Sequence, residues 1–176
     1  MDRQEQIEIL VDHFQNPRHR HVIDDAAVTM PGGNPGCGDV ITVYLKPDDD
    51  GTSIADVSWE GEGCTISQAA ASILMEMVHD ESWTLDDVLE HDYTTMIDVL
   101  GKEAVQMRPK CATLALGTLK AAVRKHQRDI LRREAGLDAS APLPGDISDI
   151  NDDGLGIVVG DEAYKERMGP NVPRDH

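Results

Sequence analysis

Three cysteines and one aspartate have settings that suit chemistry. Cys37 and Asp39 lie two positions apart in Asn34-Pro35-Gly36-Cys37-Gly38-Asp39, Cys64 follows Gly61-Glu62-Gly63, and Cys111 lies in Arg108-Pro109-Lys110-Cys111-Ala112-Thr113-Leu114. Their spacing matches neither a dithiol redox pair nor a zinc ribbon or finger. Three thiolates and a carboxylate could nevertheless close one tetrahedral metal site. The competing reading is three unrelated buried thiols, since free cysteine is among the most buried residue types. Against it, each cysteine stands where a loop meets an element rather than inside an apolar run.

Cys64 precedes one predicted helix and Cys111 lies in the first turn of another, where unpaired N–H groups favour an anion and lower a thiol pKa. Lys110 and Arg108 add positive charge beside Cys111. The chain has no phosphate-binding loop, no G-x-S-x-G and no H-E-x-x-H, and its seven histidines are scattered.

The elements that must position these groups follow from periodicity. Ile7, Leu10, Val11 and Phe14 predict a helix over residues 2 to 15 with that stripe packed in the core. The basic run Arg18-His19-Arg20-His21 is either a solvated loop or an anchor for an acidic partner. Period-two patterns predict strands at 26–30, 40–45 and 54–59, an antiparallel meander. Thr65 and Gln68 stand in a capping relation ahead of a helix carrying Ala69, Ala70, Ile73, Leu74, Met77 and Val78. Two short helices are expected, one starting within residues 82–87 and running to about Glu90, the other over 93–100. A last long helix runs from Pro109 to about Glu134, ended by Gly136, with Leu116, Leu119, Ala122, Val123, Ile130 and Leu131 on its apolar side. On that helix Lys120, Arg124, Arg128 and Arg132 are expected to share an exposed stripe. The fold class is therefore α+β: a small antiparallel three-stranded sheet packed with helices, a long C-terminal helix, a single domain over residues 1–137. Residues 138–176 have an acidic, Pro- and Gly-rich composition expected to lack stable structure, although Leu155–Val159 could form a short strand or bind a partner.

The chain has 176 residues, 40% of them hydrophobic but only 3% aromatic, so its core must be aliphatic. With 33 acidic residues against 16 basic ones, its net charge of -17 argues against nucleic-acid and anionic-membrane partners. Such charge benefits from salt screening and would suit a high-salt cytoplasm. An odd cysteine count, no signal-peptide pattern and no long apolar run predict reduced thiols in a cytoplasmic protein.

Gly36-Cys37-Gly38-Asp39, Gly61-x-Gly63-Cys64-x-Ile66-Ser67 and Arg108-x-Lys110-Cys111-Ala112-Thr113-Leu114 resemble the three cysteine motifs of the NifU N-terminal (IscU/SufU) iron-sulfur cluster assembly family. Asp12-His13-Phe14-Gln15-Asn16-Pro17-Arg18 resembles its N-terminal segment, and the likeness spans about residues 5 to 133. Lys110 stands where the IscU branch has histidine, as in the SufU branch. The SufU insertion between the second and third cysteines looks too long for this chain, and the IscU chaperone segment is missing. His19 and His21 replace the family's usual Asn and Gly.

The resemblance implies that Cys37, Asp39, Cys64 and Cys111 hold zinc, iron or a [2Fe-2S] cluster. It implies a pyridoxal-phosphate cysteine desulfurase of the SufS kind as sulfur donor and iron-sulfur apo-proteins as acceptors. A scaffold or sulfur acceptor is expected rather than an independent enzyme. Cys37 is the favoured sulfur acceptor because its flanking glycines leave room for a partner loop, with Lys110 and Arg108 stabilising thiolate or persulfide. The alternatives are a zinc-dependent sulfurtransferase without a scaffold role and a structural zinc module for protein interaction.

Overall fold

The computed structural model describes residues 2–34, 38–138 and 158–159. A helix α1 (Arg3–Gln15) opens the chain, followed by strands β1 (Val28–Asn34), β2 (Asp39–Pro47) and β3 (Ile54–Glu62). Helices α2 (Thr65–Asp80), α3 (Leu85–Glu90), α4 (Thr94–Leu100), α5 (Lys102–Met107) and α6 (Pro109–Glu134) follow. The strands pair as the expected antiparallel meander, and a two-residue strand β4 (Val158–Val159) extends it on the far side of β1, giving the order β3-β2-β1-β4.

Side chains alternate across a strand, so one face of the sheet becomes a set of cross-strand rows. Val28, Leu45 and Val57 form one row, and Met30, Val43 and Trp59 the next; all six are buried. The third row is Gly32, Ile41 and Gly61. Helices α2 and α6 pack together and cover this face, α6 over β1 and β2, α2 mainly over β3. A Cβ on Gly32 would collide with the Thr118 side chain of α6, and one on Gly61 with the Val40 carbonyl. Glycine in that third row lets helix and strands close up at the end of the sheet where Asn34 and Asp39 pair. The small residues Ala69, Ala70, Ala71 and Ser72 of α2 are fully buried, consistent with close backbone approach.

Several readings of the helices need correction. On α1 the buried side is set by His13, with Ile9 and Leu10 packed against the core, while Ile7, Val11 and Phe14 are exposed. The predicted stripe is rotated because α1 packs chiefly on α2, and His13 Nδ1 lies 2.7 Å from Ser72 Oγ there. The cap of α2 is Cys64, not Thr65; Gln68 instead donates to the Gly63 carbonyl at 2.8 Å. Finally, the basic stripe of α6 is not exposed. Lys120 is only 7% accessible, its ammonium 3.5 Å from the Leu89 carbonyl and 4.8 Å from the centre of the Tyr93 ring. Short helices α3 and α4 pack on that side of α6, and Lys120 buries its stem between them while its charge finds a carbonyl and a π face. Helix α5 was not foreseen, and Leu131 is exposed.

The basic run is not a loose solvated loop. It straps the open edge of β3: Trp59 donates its backbone N–H to the His19 carbonyl and its indole N–H to the Arg18 carbonyl, each at 3.0 Å. Ser58 donates to the His21 carbonyl at 2.6 Å, and the Arg18 N–H donates to Ser72 Oγ at 2.8 Å. His19 has φ of 55°, a left-handed torsion uncommon outside Gly and Asn, and its ring stacks on His79 at 3.9 Å.

Candidate metal centre

Asp39, Cys64 and Cys111 meet at one end of the sheet, carried by three different elements. Asp39 opens β2, opposite Asn34 at the end of β1. The turn is stabilised by the Gly38 N–H donating to the Asn34 carbonyl at 3.1 Å, with Gly38 at φ 70°, a torsion open to glycine. Cys64 is the N-cap of α2, and Cys111 lies in the first turn of α6, two positions after Pro109. One ligand atom from each of the three lies within 4.8 Å of the others.

The carboxylate is the hub. Asp39, 2% exposed, accepts the Cys64 backbone N–H on Oδ1 at 3.0 Å, one of the orphan donors of the α2 terminus. Its Oδ2 accepts the Cys111 thiol at 3.0 Å and lies 3.8 Å from the Cys64 sulfur. Asn34 Nδ2 donates to Cys111 Sγ at 3.4 Å, and the Ser67 hydroxyl donates to the Cys64 carbonyl at 3.0 Å. Gly63 is required beneath this group, because a Cβ there would stand 2.5 Å from Ser67 Oγ and 2.7 Å from Asp39 Oδ1.

Burial, the hydrogen bonds with Asp39 and Cys64 and their charges push the Cys111 thiol well above its ordinary range. The helix N-terminus alone predicted the opposite direction; 1% exposure and an adjacent carboxylate outweigh it. Without a cation, therefore, Cys111 holds its proton and spends it on Asp39. Asp39, Cys64 and Cys111 would together hold a cation, whose charge would favour the thiolate forms of both cysteines. A buried and a half-buried soft sulfur beside one hard oxygen suit zinc or iron.

Of the predicted site residues, Cys37 lies outside the described residues. Lys110 and Arg108 are exposed at the α6 N-terminus. Sequence reasoning passed over Asn34, although it begins the first cysteine motif and a buried Asn at a strand end needs a polar partner. It also passed over Arg20, which donates to the Gly61 carbonyl at 2.9 Å and reaches Gln68 Oε1 at 3.4 Å, while Gln68 holds the Gly63 carbonyl. Together these two side chains fix both glycines ahead of Cys64.

The family model of the NifU-like N terminal domain matches residues 5–132. The chain belongs to this family. Among relatives of the domain, the zinc-dependent sulfurtransferase SufU of Bacillus subtilis is 33% identical over 135 residues, covering 68% of this chain and 90% of the relative. The iron-sulfur cluster assembly scaffold protein IscU of Thermotoga maritima is 35% identical over 138 residues, covering 69% of this chain and 94% of the relative. The fold is shared with the N-terminal NifU-like protein of Brucella abortus, with a TM-score of 0.60 at 17% identity, covering 71% of this chain and 97% of that one. Among the described residues no helix is long and apolar enough to cross a membrane.

Proposed function

We propose that this NifU-like domain is an iron-sulfur cluster assembly protein. In this reading it accepts sulfur from a cysteine desulfurase and holds a metal or nascent [2Fe-2S] cluster on Cys37, Asp39, Cys64 and Cys111. The convergence of Asp39, Cys64 and Cys111 carries the proposal. Their donor set fits zinc or iron, and zinc, when bound, would hold the thiols as thiolates at neutral pH. The cluster is cargo, to be passed to apo-protein acceptors.

The chain's own residues divide the work. Asp39 orders the α2 terminus through the Cys64 N–H and presents its other oxygen to both sulfurs. A carboxylate among thiolates is the harder ligand and the more exchangeable with soft cargo, so release begins at Asp39. Cys37 is the sulfur acceptor in this scheme. Its thiolate attacks the outer sulfur of the desulfurase persulfide, the S–S bond breaks, the desulfurase cysteine leaves as thiolate, and Cys37 carries the persulfide with no net redox change. Lys110 and Arg108, exposed cations near Cys111, stabilise the anionic sulfur.

The likeness to a zinc-dependent sulfurtransferase and to cluster scaffolds at similar identity keeps two forms of this function in play: a persulfide carrier and a scaffold. Desulfurase stimulation and cluster transfer by Cys37→Ser, Asp39→Asn, Cys64→Ser and Cys111→Ser distinguish them. A carrier loses stimulation on Cys37→Ser with little change in transfer by Asp39→Asn. A scaffold loses loading with each cysteine variant and changes its transfer rate with Asp39→Asn. Wild-type stimulation and transfer in all four would leave a structural metal site and refute the proposal.

A further inference from the structure

Both edges of the three-stranded meander are covered by the chain itself, but by unequal means. The β3 edge is held by the strap at residues 18–21, with side-chain and backbone bonds to Ser58, Trp59, Gly61 and Ser72. Among the described residues the β1 edge is covered by Val158–Val159, through the pairs Gly33↔Val158 and Gly32↔Val159. Pro31, immediately before, has no N–H to donate, so the pairing surface is restricted to the last residues of β1. Those residues run directly into Asn34, whose amide holds the Cys111 sulfur. Antiparallel register turns the N-terminal end of β4 toward Asn34 rather than away from it.

We infer that the outer edge of β1 at Gly32–Gly33 is a β-augmentation site occupied in cis by β4, and that β4 is a displaceable cover for the thiol site. An unpaired edge is a template for any extended segment. Among the described residues two pairs hold this one, whereas the neighbouring β1–β2 ladder runs through seven. Local openings of short, edge-located elements lie at the low end of a protein's stability range. Cys111 and Asp39 are almost fully buried, so chemistry at the thiol requires an opening. Release of β4 frees the end of β1, loosens Asn34 and gives reagents access to Cys111. The role of that access in sulfur or cluster handling rests on the function proposed above, but the opening itself does not.

The test uses the full chain with Val158→Pro and Val159→Pro together, since proline blocks strand pairing at an edge. Hydrogen exchange by mass spectrometry should show the β1 peptide containing Gly32 and Gly33 losing protection at least tenfold, with α2 and α6 unchanged. Alkylation by iodoacetamide, resolved by peptide, should rise several-fold at Cys111. A synthetic peptide spanning residues 153 to 164, added in excess, should reverse both effects. Unchanged exchange in β1 would overturn the cis occupancy. Faster exchange without faster alkylation would overturn the cover. A concentration-dependent dimer of wild type that the proline variant abolishes would assign β4 to a second copy and overturn the cis assignment. Because none of these readouts needs a metal or a desulfurase, failure here is distinguishable from failure of the proposed function.

Discussion

Replacing Asp39 separates its two tasks. Oδ1 accepts the Cys64 N–H and Oδ2 faces both sulfurs. Asp39→Ala removes both functions, whereas Asp39→Asn keeps an oxygen for the Cys64 N–H and removes the charge. Both relieve the cost of a buried carboxylate, so the difference between them isolates the hydrogen bond. A hydrogen bond to a charged group is worth about 1.5–3 kcal/mol, and a neutral one about 1 kcal/mol. The metal-free Ala variant should therefore unfold more easily than the Asn variant by about 1 kcal/mol. Zinc affinity should fall at least about tenfold in both, which lowers zinc-dependent stabilisation by about 1.4 kcal/mol at a fixed free zinc concentration. Urea denaturation of metal-free and zinc-buffered protein, with competition against a chromophoric chelator, measures all three quantities. Wild-type zinc affinity in Asp39→Asn, or equal metal-free stability of the two variants, would refute the reasoning.

Other expectations follow from close contacts and from buried histidine. Gly32→Ala should destabilise by about 1–3 kcal/mol through overpacking against Thr118, and Thr118→Ala in the same chain should recover part of it in denaturation curves. Gly63→Ala should weaken zinc binding more than Gly51→Ala, because only the first pushes on Asp39 and Ser67; chelator competition checks this. Burial, followed by the Arg18 charge, holds the His13 pKa below its ordinary 6.5. A depressed folded pKa means that the unfolded chain takes up the proton first. Stability from His13 is thus full above about pH 6.5 and falls as pH drops toward the folded value, by at most about 1.4 kcal/mol per pH unit. Denaturation midpoints between about pH 8 and about pH 5 should slope less in His13→Gln.

The meander and the convergence of Asp39, Cys64 and Cys111 were legible because each rests on local pattern. Alternation marks strands, and glycine-flanked or helix-opening cysteines mark junctions. What was not legible depends on neighbours distant in sequence. Periodicity places Ile7, Val11 and Phe14 on one stripe, and Lys120 and Arg124 on another, but it cannot say which side α2, α3 or α4 will cover. The strap at residues 18–21 was hidden for the same reason: Arg20 meets Gly61 across 41 positions and Arg18 meets Ser72 across 54. The α2 cap shifted from Thr65 to Cys64 because the terminal N–H of Cys64 is satisfied by Asp39 from another strand. The pKa direction at Cys111 needed the same carboxylate to be placed before it could be assigned.

Zinc K-edge X-ray absorption on protein loaded with one equivalent of zinc tests the central claim most directly, since it reads the ligand atoms themselves. Three sulfurs at about 2.3 Å and one oxygen at about 2.0–2.2 Å are predicted for Cys37, Cys64, Cys111 and Asp39, with the oxygen contribution altered by Asp39→Ala and one sulfur lost in each cysteine variant. A spectrum of nitrogen and oxygen ligands alone, or a sulfur count unmoved by Cys64→Ser and Cys111→Ser, would contradict it.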